Sequence, residues 1–168
     1  MEQNVIDNET QEKLDAFIKQ EEGDSNDYKG LLAKFITLVA VGMSLFHLYA
    51  AYSIVPTQQL RVIHVALVLF LVFLSFPIMA RFKNRLMLWD IVFAFGSIAI
   101  AYYILSGGDD FMDRNTAPNS TDVMVGIGLI LLILESVRRT NGMVLVTVTV
   151  LFLLYALFGN YLPAPWTH

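Results

Sequence analysis

The run VMVGIGLILLILESVRRTNG, residues 123–142, decides the fold, because it carries an apolar helix directly into a charged turn. A membrane-spanning helix needs about 20 mostly apolar residues, and this run reaches that length only if the helix includes its charged end. Glu135 lies three and four positions before Arg138 and Arg139. A helix therefore places all three on one face, with the acid before the bases, which is the favourable order.

The composition of the whole chain is that of a membrane protein. The chain has 168 residues, of which 56% are hydrophobic and 15% charged, and its mean hydropathy is +0.58. A soluble domain of this size could not bury so much apolar material. The absence of cysteine excludes disulfides, iron–sulfur centres and thiolate zinc sites.

Five segments have the length and hydropathy of membrane spans, and the run quoted above contains the fourth. We predict an all-α integral membrane protein, with a bundle of about five transmembrane helices in a domain of residues 29–168. The predicted spans are residues 31–52, 60–80, 87–105, 123–138 and 143–162. Small residues four positions apart, Ala40 with Ser44 and Ser97 with Ala101, predict close helix packing.

Residues 1–28 form a separate, acidic tail, with nine acidic and two basic side chains. Leu14, Phe17 and Ile18 recur at helical spacing, so we predict a short amphipathic helix over about residues 9–20. Anionic lipid headgroups would repel this acidic helix, which favours either a solvated tail or a contact with a partner protein. The tail has none of the features of a signal peptide.

The distribution of Lys and Arg predicts the orientation in the membrane, because cytoplasmic turns are enriched in them. Two turns are cationic, and their bases are Arg81, Lys83, Arg85, Arg138 and Arg139. The connection 106–122 is acidic, with the single base Arg114, and is predicted to be a long external loop. Asp122 is expected to cap the fourth helix. The N-terminus is therefore predicted to be cytoplasmic and the C-terminus outside.

The charged residues at the predicted cytoplasmic ends of the spans are the candidate site. They are Glu135, Arg138, Arg139, Asp90, Arg81 and Arg85. Interfacial salt bridges and positive-inside anchoring suffice to explain the arginines. Intramembrane acids are rare and usually paired, so a partly buried Glu135 would lock its helix against another helix or another subunit, with a substrate or proton role as the alternative. Asp90 lies in the first turn of the third span, where capping accounts for an acid.

Two other classes of function stay open on the residues alone. His47 and His64 lie near the predicted outer ends of the first two spans, where two imidazoles could ligate a haem b iron in an electron carrier. A water-exposed ring edge would satisfy each histidine without a metal. The second alternative is a membrane adaptor or scaffold unrelated to transport.

The sequence lacks the common motifs of catalysis and nucleotide binding. It has no Gly-rich phosphate loop, no HExxH, no GxSxG elbow and no plausible Ser/His/Asp set. It also has no basic aromatic surface of the kind that binds nucleic acid. We therefore expect neither an enzyme nor a cofactor or metal site.

Four segments of the chain carry a family resemblance. They read GMSLFHLYAAY (42–52), QLRVIHVALVLFLVFLSFP (59–77), WDIVFAFGSIAIAYYIL (89–105) and LESVRRTNGMVLVTVTVLFLLYALFGNYLP (134–163). In this order and spacing they closely resemble the N-terminal membrane region of the fused permeases of TRAP transporters of the TAXI type. The acid-x-x-Arg-Arg turn followed by LLYALFGNYLP is the most specific part.

The resemblance implies a role in secondary transport in a prokaryotic inner membrane. In that family this region corresponds to the small membrane subunit, which braces the large transporting subunit. A periplasmic substrate-binding protein delivers an organic acid or amino acid, and a sodium or proton gradient drives uptake. The resemblance places the substrate and ion sites in the large subunit, so we expect this chain either to be a separate small subunit or to lead into a fused large one.

Overall fold

The computed structural model describes residues 10, 11, 13, 14 and 25–161. In these residues the regular structure is entirely helical. Five α-helices follow each other along the chain: α1 Leu31–Tyr52, α2 Thr57–Ser75, α3 Leu88–Asp113, α4 Ser120–Asn141 and α5 Met143–Phe158. The amphipathic helix predicted over residues 9–20 lies largely outside the described residues, although the four that are described there are helical.

The core lies between α2 and α3, which pack against each other over more of their length than any other described pair. Phe73 and Ala94 are fully buried at this interface, with the Phe73 and Phe93 rings 5.4 Å apart. Farther along, the buried Ser97 hydroxyl donates to Ala66 O at 3.3 Å, which joins the two helices. The small side chains of α3 allow this close approach, as predicted for Ser97 and Ala101.

The other helices surround this pair. Helix α4 contacts both α2 and α3, whereas α1 packs on α2 and α5 packs on α4. Helix α1 is therefore peripheral, and its predicted packing pair, Ala40 and Ser44, is exposed instead of being buried against another described helix. Contacts between facing residues show that α1 to α4 run antiparallel to their neighbours, because His47 meets His64 and Asp90 meets Arg139.

Proline fixes the end of α2. The predicted second span extended to residue 80, but the helix ends at Ser75, and Phe76 has extended backbone angles. A residue before proline is driven out of the α region, and Pro77 has no N–H to continue the helix. The chain then makes a 3₁₀ turn at Ala80–Phe82 before α3 begins at Leu88.

The predicted external loop 106–122 is mostly helical. Helix α3 continues past the predicted end of its span to Asp113, with a kink at Gly108, where φ is 48°. A 3₁₀ turn, Arg114–Thr116, follows, and α4 begins at Ser120. The helix cap is Asn119 and not Asp122: the Asn119 side chain accepts from Asp122 N at 2.8 Å, while Asp122 accepts from Asn119 N at 3.0 Å.

Helix α5 is shorter than the predicted fifth span. Its α-helical part, Met143–Phe158, has 16 residues, and a 3₁₀ turn, Gly159–Tyr161, extends it. At the rises of the two helix types, the whole stretch is about 30 Å long, the thickness of a bilayer's hydrocarbon core. The fifth crossing stays a prediction.

Four of the described helices are long and apolar enough to cross a membrane: Leu31–Tyr52, Thr57–Ser75, Leu88–Thr116 (which includes the 3₁₀ turn after α3) and Ser120–Asn141. Their outer faces carry large apolar side chains, such as Leu38, Phe95 and Leu131, all more than half exposed. In water such surfaces would aggregate, whereas lipid solvates them. The chain is therefore an all-α, multi-pass membrane protein.

Candidate functional site

The candidate site is an ion cluster formed by Asp90, Glu135, Arg138 and Arg139. It lies at the end of the bundle where α2 ends, α3 begins and α4 ends, which we call the basic end. The structure brings these four predicted residues together and leaves Arg81 and Arg85 outside the cluster, as exposed side chains on the α2–α3 connection.

Arg139 is the centre of the cluster, and its side chain is 0% exposed. Its Nε donates to Glu135 Oε1 at 2.8 Å, and its Nη1 donates to Asp90 Oδ1 at 2.6 Å and to Phe76 O at 3.0 Å. The planar guanidinium spreads its donors over separate nitrogens and so reaches acceptors on different sides, whereas a lysine ammonium has its three donors on a single nitrogen. The predicted salt bridge to Glu135 is present. Anchoring at the membrane surface is an incomplete explanation for Arg139, because an anchoring side chain would reach water and this one is buried.

Aromatic rings cover the rest of this guanidinium. Its central carbon lies 5.0 Å from the centre of the Phe73 ring and 5.6 Å from that of Phe93. Arg139 Nη2 is buried and has no hydrogen-bond acceptor among the described residues. The negative faces of the two rings provide electrostatic compensation for this unpaired donor.

Asp90 has two functions where the sequence predicted one. Its Oδ2 accepts from Met87 N at 2.9 Å, which caps α3 as expected. Its Oδ1 pairs with Arg139, and the Asp90 side chain is only 1% exposed. Capping alone is thus an incomplete explanation: Asp90 is also the buried counter-ion that links α3 to α4.

Glu135 and Arg138 form the outer part of the cluster. Arg138 binds Glu135 through two parallel hydrogen bonds, Nε to Oε2 at 2.7 Å and Nη2 to Oε1 at 2.8 Å. The Glu135 side chain is 22% exposed and that of Arg138 31%. The same Nη2 of Arg138 also donates to Ile78 O at 2.8 Å. Glu135 thus orients two arginines of its own helix, and the arginines make the contacts to the rest of the bundle.

The break at Pro77 explains why two arginines are needed here. Carbonyls of the irregular segment after α2 cannot join a helix, and at membrane depth each unsatisfied one would be costly. Arg139 binds Phe76 O and Arg138 binds Ile78 O, one on either side of Pro77. The Arg-Arg pair of α4 therefore supplies the donors that the proline break removes from α2.

A second set of contacts fastens the chain before α1 to the same end. Asn84 N donates to the Asn26 side chain and Asp27 N donates to the Asn84 side chain, both at 2.6 Å. Asn26 N donates to Ser75 O at 2.7 Å. We call these contacts the asparagine clasp. Asn84 has φ 61°, a conformation that asparagine tolerates better than most residues.

Tyr28 lies beside the clasp. Its hydroxyl accepts from the Asn26 side chain at 2.9 Å. Burial, and secondly the nearby charge of Asp90, raise the pKa of the Tyr28 phenol. The phenol therefore stays neutral near the buried carboxylate, and the segment before α1 adds no charge to the cluster at this point.

The two histidines of the haem alternative meet at the opposite end of the bundle. Their rings are 4.9 Å apart, and His64 Nδ1 lies 2.9 Å from His47 Nε2, a direct hydrogen bond. His47 Nδ1 bonds to Met43 O at 2.7 Å. A haem iron held from both faces needs the two ligating nitrogens on opposite sides of the metal, and two nitrogens in direct contact leave no room for it. The geometry favours a hydrogen-bonded pair.

Comparisons with known proteins give a single result. No family model, no curated protein and no solved structure matches this chain. The function of the chain is therefore inferred from its residues and their geometry.

The contacts of the cluster support a structural role. The described residues contain no group of three or more His, Asp or Glu side chains placed to hold a metal ion. The carboxylates of Asp90 and Glu135 are occupied by the two arginines. The arrangement can hold two helices, α3 and α4, and the connection after α2 in fixed positions. The sequence analysis did not predict the carbonyl contacts around Pro77 or the Asp90–Arg139 pair. Pro77 was the sequence signal for the carbonyls, and the opposite charges at the same predicted end of the spans were the signal for the pair.

Proposed function

We propose that this chain is the small membrane subunit, or the equivalent region, of a TAXI-type TRAP secondary transporter in a prokaryotic inner membrane. In this proposal it braces a large transporting subunit during ion-coupled uptake of an organic acid or amino acid. A periplasmic TAXI-type binding protein delivers the substrate. The N-terminus is cytoplasmic and the C-terminus is outside.

The observation that carries the proposal is the buried Asp90–Arg139 pair with its two flanking arginine–carbonyl bonds. A bracing subunit must keep its shape while its partner moves, and a charge buried among fixed acceptors resists displacement, since separating it from them is expensive. The cluster links α3 and α4 to the connection after α2. The asparagine clasp adds the segment that leads into α1.

The remaining polar groups also suit a scaffold better than a pathway. Thr147 and Thr149 of α5 donate to carbonyls of their own helix, four residues back, and Ser44 does the same in α1. Such bonds satisfy a hydroxyl in lipid without a substrate. The two peripheral helices α1 and α5 leave most of their apolar surface exposed, which is available to lipid or to a large partner.

Copurification tests the proposal. The tagged chain should be produced together with a candidate large TRAP membrane subunit, extracted in mild detergent and purified by its tag. We expect the purified sample to contain a stable complex with that many-spanning partner. In intact cells that produce both membrane proteins, we expect substrate uptake only when the binding protein is also present. A chain that stays monomeric in cells making that partner would rule out the transporter assignment and favour the adaptor alternative.

An optical spectrum of the same purified sample tests the haem alternative. A haem b electron carrier shows a Soret band, and the hydrogen-bonded histidine pair predicts that the band is absent. A Soret band that disappears in a His64→Ala variant would instead support electron transfer.

A further inference from the structure

An apolar groove opens between α2, α3 and α4, away from the ion cluster. Its volume is about 170 Å³, and eight of its ten lining residues are aliphatic. The side walls include Val62 and Val65 of α2, Ile100 of α3, and Leu129 and Ile133 of α4. The groove therefore lies along the side of the bundle, where a membrane protein faces lipid.

Small residues create the floor of the groove. Ala66, Ser97 and Ala101 are buried where α2 and α3 approach closely, so no large side chain fills the space beside them. The Ser97 hydroxyl donates to Ala94 O at 2.7 Å and to Ala66 O at 3.3 Å. With its hydroxyl already bonded, the floor has no free polar group, and an apolar occupant suits it.

Arg61 is the charged residue at the groove. It lies in the second turn of α2, is exposed, and makes no ion pair among the described residues. The other arginine near this end of the bundle, Arg114, differs, because it binds Asp122 at 3.1 Å. An exposed guanidinium beside an apolar groove presents a donor fork and a positive charge to whatever occupies the groove.

We propose that this groove binds an acyl chain of an anionic phospholipid, with the lipid phosphate held by Arg61. Guanidinium and phosphate form parallel, charge-assisted hydrogen bonds, and arginine is well suited to this geometry. From Arg61 to Ala66 the helix rises about 8 Å, so the headgroup at Arg61 and the chain along the floor have the arrangement of one lipid molecule. The proposal does not depend on the transport function.

The size of the groove fits part of one acyl chain. An apolar cavity of about 150 Å³ accepts a benzene molecule, so a groove slightly larger takes a short stretch of methylenes. The rest of the chain would lie on the exposed apolar helix surface. A protein side chain is the competing occupant, but it would leave the Arg61 charge without an anion.

Native mass spectrometry of the full-length protein in detergent tests the proposal. The delipidated protein is mixed with phosphatidylglycerol or with phosphatidylcholine of the same acyl chains. We expect preferential binding of phosphatidylglycerol. Arg61→Gln should weaken that binding about tenfold, the usual effect of losing a hydrogen bond to a charged group. Val62→Phe, which fills the groove, should weaken binding of both lipids.

Matched variants control for general effects of charge and bulk. Arg85→Gln removes an exposed arginine at the basic end, and Val92→Phe enlarges a half-exposed valine on α3. Both should bind phosphatidylglycerol like the wild type. If Arg61→Gln and Val62→Phe both bound phosphatidylglycerol as tightly as the wild type, the proposal would be overturned. The proposal would also be overturned if Val62→Phe bound lipid like the wild type but no longer copurified with another membrane protein. The groove would then be a contact surface for that protein.

Discussion

At the scale of single residues, Arg139 is the centre of the ion cluster. It is fully buried and contacts Asp90, Glu135 and Phe76 O. Buried ion pairs contribute little net stability compared with apolar replacements, because desolvation offsets their attraction. Removing one partner is different, since the remaining charge has no water and no counter-ion. This asymmetry makes the pair testable.

Replacing Arg139 by leucine should therefore destabilise the protein by about 3–5 kcal/mol, because Asp90 would be left buried and unpaired. The measurement is thermal unfolding in detergent. In the double variant Asp90→Leu/Arg139→Leu no lone charge remains, so we expect it to be more stable than Arg139→Leu alone. It should stay below the wild type by about 1 kcal/mol for the lost cap of α3 and by about 1–3 kcal/mol for Phe76 O, which loses its donor.

Arg85→Leu is the matched control for this experiment, because Arg85 is an exposed arginine at the same end of the bundle. It should change the stability by no more than about 0.5 kcal/mol. If Arg139→Leu were as stable as this control, the buried pair could not be what holds α3 and α4 together.

At the scale of helices, the boundaries are set by residues with special backbone properties. Pro77 follows the end of α2, and the arginines of α4 bind the carbonyls on either side of it. Gly142 separates α4 from α5 by one residue, with φ 77° and ψ −171°. That conformation is essentially confined to glycine. The short connection between the last two helices therefore depends on this residue.

Gly142→Ala should destabilise the protein by about 1–3 kcal/mol, because a side chain strains this backbone conformation even though there is open space around it. Gly126→Ala is the control, since Gly126 is inside α4 and its added Cβ would also meet open space. A helical glycine replaced by alanine should be neutral or stabilising by up to about 1 kcal/mol. Equal unfolding temperatures of the two variants would contradict this explanation of the turn.

At the scale of the whole molecule, contacts accumulate at one end of the bundle. The ion cluster and the asparagine clasp both lie at the basic end, where they fasten the chain before α1, the α2–α3 connection and the end of α4. The opposite end has the histidine pair and the Arg114–Asp122 ion pair. Because α1 and α5 each pack on one neighbour, a bracing subunit would offer them to its partner or to lipid.

The predicted orientation can be tested directly, because residues 1–168 contain no cysteine. Single cysteines at Asp110 and Arg85 lie at opposite ends of the bundle and are exposed. A membrane-impermeant maleimide should label Asp110→Cys in intact cells and Arg85→Cys only after permeabilisation, since cationic turns stay inside. The reverse labelling pattern would overturn the orientation.

A third position tests the fifth crossing in the same assay. Tyr161 is 80% exposed at the end of the 3₁₀ turn that extends α5. Tyr161→Cys should react in intact cells if α5 crosses the bilayer, and only after permeabilisation if the chain returns to the cytoplasmic side. The cysteine-free parent protein gives the background.

Much of the fold was predictable because hydropathy is a local property. The bounds of α1 match the predicted span 31–52, and the other predicted spans each coincide with a helix, differing at the ends. Three of the differences are at the end of α2 before Pro77, at the end of α3 beyond Gly108 and at the capped start of α4. Helix α2 ends early, whereas α3 and α4 extend beyond their apolar segments. These bounds depend on capping and on backbone geometry, which a hydropathy average does not measure.

By itself, the sequence determined that this protein lies in a membrane, that it is helical, and that Glu135, Arg138 and Arg139 share one helix face, because these follow from composition and from spacing along one helix. Only the tertiary structure decided that Arg139 is buried, that its counter-ion is Asp90, 49 positions away, and that Asn26 meets Asn84. Such partners depend on how separate helices pack, and many pairings of the same residue types satisfy the same sequence pattern.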